Sequence, residues 1–370
     1  MSASPPISKK SVWSRRLGCY AGTIVTQMGF GLATTYIGLS MLSAADYGIY
    51  AIVSVITALF ASLAAGPAGV ISAGSYLSCA TNQKAAANAT FALITTLIAI
   101  VEAVALFYLW PLVNVLTENH VGSMERYFSC LSIIPQSLVV LYTGLNHNQG
   151  FSGRVLAGTL SQGIITLIAI YSSLYVFSYG PASLYIAQFG GFFAGACTCV
   201  IVAGRMRSPT WEWAARWRAA NKSYSINTFI INLPPFVENV VIARFSGLAG
   251  LAVWQHSRIY NAFIMRAGKV IGLTILPVAL SEAKEGKFAV TQIAWRVIYI
   301  GFTLVGIIAA FFAEPLIDFL THGKLLAASM LVPWWAIYNL LQSTGREAEA
   351  TLFSADLGTQ VINAQSIAKI

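Results

Sequence analysis

The stretch Leu251-Ala-Val-Trp-Gln-His-Ser-Arg-Ile-Tyr-Asn-Ala-Phe-Ile-Met-Arg-Ala-Gly-Lys-Val-Ile-Gly-Leu-Thr-Ile-Leu-Pro-Val-Ala-Leu280 is predominantly apolar, yet it carries Arg258, Arg266 and Lys269. It is long enough to cross a bilayer, which takes about 20 apolar residues. At about 100° per residue Arg258 and Lys269 lie within roughly 20° of each other and Arg266 within roughly 80°, so the three cations share one face. A central Arg or Lys facing acyl chains costs at least about 2.5 kcal/mol. The face is therefore expected to look into protein or water, where it suits an anion held inside the membrane.

Composition places the rest of the chain in the same setting. Of 370 residues 57% are hydrophobic and 9% charged, whereas a soluble domain carries about a quarter charged residues. The pattern predicts an all-α polytopic membrane protein. The net charge of +9 does not point to nucleic acid, because the basic residues are scattered between apolar runs. Cys19, Cys79, Cys130, Cys197 and Cys199 lack the spacing of a zinc or redox site. Lys9, Lys10, Arg15 and Arg16 precede an apolar run too long for the h-region of a signal peptide, so it reads as an uncleaved first span.

Apolar runs predict spans over Leu17 to Met41, Tyr47 to Tyr76, Ala85 to Val115, Phe128 to Asn146, Val155 to Phe177 and Ala182 to Ala203. Further spans follow over Ser225 to Ala243, Leu251 to Leu280, Val290 to Ala313 and Leu325 to Leu341, and Ala355 to Ile370 resembles the opening of another. The expected architecture is thus about 10–11 transmembrane helices. It divides into a six-helix lobe over 1–205, a connection over 206–223 and a second, incomplete lobe over 224–370. That connection holds Arg207, Arg216, Arg218 and Lys222 with Trp211, Trp213 and Trp217 interleaved. It reads either as an amphipathic helix in the interface, rings at headgroup depth, or as a plain linker.

Lysine and arginine mark the sides. One side collects Lys9, Lys10, Arg15, Arg16, Lys84, Arg154, the group from Arg205 to Lys222, Lys284, Lys287 and Arg346; the other keeps Arg126, Arg244 and Lys324. The excess belongs to the cytoplasm. A cytoplasmic N-terminus in the inner (cytoplasmic) membrane is expected, with connections of a few residues on the opposite side.

A weak repeat relates Met41-Leu-Ser-Ala-Ala-Asp-Tyr-Gly-Ile-Tyr50 to Phe245-Ser-Gly-Leu-Ala-Gly-Leu-Ala-Val-Trp254. Each copy ends a span, turns through small residues and restarts with an aliphatic and an aromatic. An even number of spans separates them, so two parallel lobes about an axis along the membrane normal are expected. Together with Glu238-Asn-Val-Val-Ile-Ala-Arg-Phe-Ser-Gly247 and Ile275-Leu-Pro-Val-Ala-Leu-Ser281, these residues resemble the polysaccharide/O-antigen flippase (Wzx-like) family of the multidrug/oligosaccharidyl-lipid/polysaccharide exporter superfamily. The resemblance covers most of the chain. It implies two pseudo-symmetric, MATE-like helical lobes that move undecaprenyl-diphosphate-linked oligosaccharide across the cytoplasmic membrane. Against the family's twelve or more spans, the second lobe is expected to be short by one or two, in a truncated or degenerate chain.

In this reading Arg258, Arg266 and Lys269 bind the diphosphate and acidic sugars, spread along about 16 Å of helix; the alternative is that Arg258 pairs with acidic residues and Lys269 snorkels to the boundary. Glu238 and Glu102 are candidates for ion coupling or for charge pairing. Pro67, Pro234, Pro235 and Pro277 are candidate hinges or static kinks. No phosphate loop, His-Glu-x-x-His or Gly-x-Ser-x-Gly pattern occurs, so neither an enzyme nor a cofactor or metal is expected. Partners are expected to be lipid-linked oligosaccharide, membrane lipids and polysaccharide polymerase and export machinery. A drug or cation antiporter of the same superfamily and an integral-membrane acyltransferase are the competing readings. The first would favour acidic interiors, and the second an early Arg-His pair that is missing before His120.

Overall fold

The computed structural model describes residues 9–68, 71, 79–117, 121–148, 151–204, 207–284 and 289–339. Side chains are described over these ranges except at 9–17, 20, 81, 147–148, 223, 263–284, 289–299, 302 and 305. The described residues form helices joined by short turns, with no strand among them. In order they form α1 (Lys9–Met41), α2 (Ala44–Ala65), α3 (Thr81–Leu116), α4 (Ser123–Asn148), α5 (Ser152–Tyr171) and a π-helical turn (Ser172–Val176). There follow α6 (Ala182–Ala203), α7 (Trp211–Lys284), α8 (Ala289–Thr321), a 3-10 turn (Leu326–Leu331) and a helix over 332–339. Stretches within Ala44–Ala65, Asn82–Leu116, Ser123–Asn146, Ser152–Val176, Ala182–Ala203 and Tyr224–Ala262 are long and apolar enough to cross a membrane.

Local chemistry sets several ends. Ser43 caps α2 in a reciprocal capping box: its hydroxyl oxygen accepts from the Asp46 backbone N–H, and its own backbone N–H donates to the Asp46 carboxylate. Gly66, at φ 59°, closes the other end, a backbone that a residue with a Cβ adopts only with strain. α2 therefore stops at Ala65; Pro67 follows the cap, and the Ile71 N–H donates to its carbonyl at 2.9 Å, while most of the expected span from there to Tyr76 lies outside the described residues. Hydroxyls inside the spans bond back to their own helix: Thr90 to the Ala86 carbonyl, Ser137 to Ile133, Thr166 to Gln162. Such back-bonding satisfies a polar group where lipid offers no partner.

The chain divides into two compact units, Met1–Ala252 and Val253–Ile370. In the first, α6 packs closely on α5 through Gly191, whose α carbon lies against Thr166, and Gly195, where a Cβ would sit 3.2 Å from Gln162 Cβ. This is the close approach that small residues four apart allow. Across α2 and α6 a partly buried polar link joins Ser54, Gln188 and Thr57, each hydrogen bond being 3.3 Å.

The connection expected over 206–223 is non-helical from 207 to 210 and helix from Trp211, continuous with the seventh span; nothing between Asn221 and Ser225 interrupts it. Its Trp213 and Trp217 are each 3% exposed. They pack into a cluster with Ala65, Ala68, Phe91, Leu141, Tyr142, Leu145 and Cys199. The helix is amphipathic as its spacing predicts, but these rings meet protein, not headgroups. The Thr210 N–H donates to Thr90 Oγ1 at 2.9 Å and the Arg207 N–H to the Ala85 carbonyl at 3.5 Å, pinning the approach to this helix along the start of α3.

Within α7 the backbone leaves helical geometry at Gly247 (φ 70°, ψ 175°) and resumes at once. In the repeat, Gly247 aligns with Ser43, the cap where α2 begins, so both copies interrupt the helix at matching positions. After this break Leu248, Leu251 and Ala252 are buried in the first unit. In the second unit Ala313 and Ile317 of α8 pack with Ala328 and Val332, and Val253, Tyr260 and Ala309 lie against them.

Candidate functional site

The arm of α7 after Gly247 distributes its side chains by face. Val253 and Tyr260 pack against the cluster built on α8. About 40–100° round the helix, Ser257, Asn261 and Trp254 meet the 332–339 helix. Trp335 Nε1 donates to Ser257 Oγ at 2.9 Å, Asn339 Nδ2 donates to Asn261 Oδ1 at 2.8 Å, and the Trp254 and Trp335 rings stand 5.0 Å apart. Arg258, half-buried, comes roughly 60° beyond Asn261 and roughly 160° from Tyr260. It thus points away from the contacts that Tyr260 and Asn261 make among the described residues. Arg266 and Lys269 are on the same helix, but their side chains lie outside those described. So does that of Pro277.

Two contacts in this unit are absent from the sequence reading. His256 is fully buried, with Nε2 3.3 Å from Tyr260 Oη and no hydrogen bond at Nδ1. The seam of Ser257, Asn261, Trp335 and Asn339 was visible only as two polar pairs spaced i, i+4 in apolar runs. That spacing puts each pair on one side of its helix.

The acidic candidates fall in the first unit. Glu238 is half-buried on the arm of α7 before Gly247. Glu102, half-buried in α3, has a buried Oε2 that accepts no hydrogen bond. Arg126 of α4 does not serve it. Its Nη2 donates to the Phe107 carbonyl at 2.5 Å and its guanidinium carbon stands 3.6 Å from the centre of the Phe107 ring, a cation-π arrangement.

Of the candidate hinges, Pro67 is the buried residue after the α2 cap. Pro234 and Pro235 lie within helix, where Asn232 Nδ2 donates to the Thr228 carbonyl at 2.7 Å. The backbone departure in α7 is at Gly247, not at these prolines. No group of three His, Cys, Asp or Glu side chains converges among the described residues.

No protein-family model matches the sequence, nor does any of the curated proteins. Solved structures do match in fold. The inward-facing conformation of a multidrug resistance MATE family transporter of the MOP superfamily aligns at a TM-score of 0.70 and 13% identity, over 90% of this chain and 82% of that one. A MATE in complex with MaL6 aligns at 0.61 and 11% identity over 95% and 84%. The outward-facing conformation of a multidrug resistance MATE family transporter of the MOP superfamily aligns at 0.58 and 13% over 95% and 83%. The fold of this chain is that of MATE transporters.

Proposed function

We propose that the protein is a membrane transporter that moves an anionic, lipid-linked oligosaccharide across the cytoplasmic membrane by alternating access, with Arg258 as the principal cargo contact and Arg266 and Lys269 assisting. The observation that carries this reading is a half-buried guanidinium, that of Arg258, within a helical stretch long and apolar enough to cross a membrane, in a chain whose fold neighbours are transporters. A guanidinium in such a place offers a planar fork to a phosphate oxygen pair. A charged hydrogen bond there is worth roughly 1.5–3 kcal/mol, about ten- to a hundredfold in affinity.

The test is glycan export in cells that depend on this chain. Arg258→Ala should abolish most export with the protein still inserted, and Arg258→Lys should recover only part, because an ammonium lacks the fork. If Arg258 serves only to balance Glu238, the double change Arg258→Ala with Glu238→Ala restores export, and the cargo role falls.

A second reading, antiport of a drug against a cation, is favoured by one observation, the buried Glu102 oxygen without a hydrogen bond. Multidrug resistance is named for two of the fold neighbours. Cation-dependent uptake of a lipophilic drug into vesicles, lost in Glu102→Gln, would support this reading over the first.

A further inference from the structure

The first turns of α7 carry two opposed faces. Relative to Trp211, Trp213 and Trp217 stand about 200° and 240° round the helix and are docked in the core of the first unit. Arg218 and Lys222 stand within about 20° of Trp211. All three are exposed, Trp211 at 82%, and the neighbouring positions Ala215 and Ala219 are small and exposed too. A solvent-facing indole with two cations about two and three turns further along the same face, opposite a docked face, is not accounted for by packing.

Its depth identifies the occupant. Trp213 and Trp217 touch Ala65 in the last turn of α2 and Leu145 in the last turn of the α4 stretch, with Leu141 one turn before it and Phe91 in the third turn of α3. The segment therefore lies where hydrocarbon gives way to headgroups, and it runs as unbroken helix into the stretch beginning at Tyr224. At that level an indole favours the interface and basic side chains favour lipid phosphate.

We propose that Trp211, Arg218 and Lys222 form a binding site for the headgroup of an anionic phospholipid of the adjacent leaflet. The site is independent of what the protein carries. Arg218 and Lys222, nearest the crossing stretch, engage the phosphate oxygens, and the Trp211 ring, about two turns farther out, lies over the outer part of the headgroup layer. Each cation contributes about fivefold to the preference for anionic over zwitterionic lipid, and the two together about thirtyfold.

The full chain is reconstituted into nanodiscs of phosphatidylcholine with a minor fraction of phosphatidylglycerol, with p-benzoylphenylalanine placed at Ala215. Irradiation should crosslink phosphatidylglycerol far above its share of the lipid. Arg218→Gln with Lys222→Gln should return the ratio to that of the bulk, while the melting temperature in pure phosphatidylcholine is unchanged because both side chains are exposed. The proposal is overturned if the double variant keeps the full preference. It also fails if inorganic phosphate at matched ionic strength abolishes the preference, which would make this a site for a free anion. Crosslinks to protein alone would assign the face to a protein partner and overturn it equally.

Discussion

The α carbon of Gly48, in the second turn of α2, lies directly against the backbone of Leu248, the residue after the Gly247 break: a Cβ on Gly48 would overlap the Leu248 carbonyl oxygen. The two residues belong to the two copies of the repeated motif, so the copies resemble each other in pattern and also touch within the first unit. Gly48→Ala should destabilise the protein by about 1–3 kcal/mol, as overpacking against backbone does, while Gly29→Ala in α1, where nothing lies within 4 Å, should be neutral or slightly stabilising. Thermal melting in detergent of both variants checks the contrast. Equal behaviour would deny the close approach.

Trp217→Ala should cost about 3–5 kcal/mol, the range for removing a large buried aromatic ring, and should release the start of α7 from the ends of α2, α3 and α4. Limited proteolysis reads the release as new cleavage between Arg207 and Lys222. Gly66→Ala should act on the same joint, since its φ is positive and a Cβ would run into the Trp217 indole. Trp211→Ala, on the opposite exposed face, should leave cleavage as it was.

Ser257→Ala should leave the Trp335 indole N–H without its acceptor, at a cost of about 1–3 kcal/mol. Trp335→Phe in the same background should recover part of the loss by removing the stranded donor. A double-mutant cycle on melting temperature measures the coupling; additive losses would mean that the bond does not hold the seam together.

Charge asymmetry predicts Arg218 inside the cell and Lys324 outside. In a cysteine-free background, Lys324→Cys should react with an impermeant maleimide added to intact cells, and Arg218→Cys only after lysis. The reverse pattern would invert the topology.

The helices were legible because apolar runs of span length leave few other structures available, and the matched interruptions at Ser43 and Gly247 were legible as short turns of small residues. What Trp213 and Trp217 would meet was not. Rings at helical spacing report that a helix has an apolar face, and lipid and protein satisfy that face equally well. The break at Gly66 is not marked by hydropathy, because Ala68, Val70 and Ile71 continue the apolar pattern past it and its positive φ leaves no trace there. For the candidate site, the shared face of Arg258 with Arg266 and Lys269 follows from spacing. Which side of that helix its own unit occupies depended on Tyr260, Ser257 and Asn261 finding partners far along the chain, at Val332, Trp335 and Asn339.

The π-helical turn at the end of α5 bears on how relatives of this chain should be compared. Between Ser172 and Val176 the helix accommodates a wider turn, with the Phe177 N–H reaching back to the Ser172 carbonyl at 3.0 Å, and Tyr175 there meets Ser40 of α1 at 2.5 Å. Such a turn holds one residue more than an α-helical turn would, here at the end of the span, just before the chain turns at Ser178. A homologue lacking that residue would keep the rest of α5 unchanged and present a different side chain to Ser40. An alignment drawn without a gap between 172 and 176 would then misassign every position from Tyr175 to the start of α6.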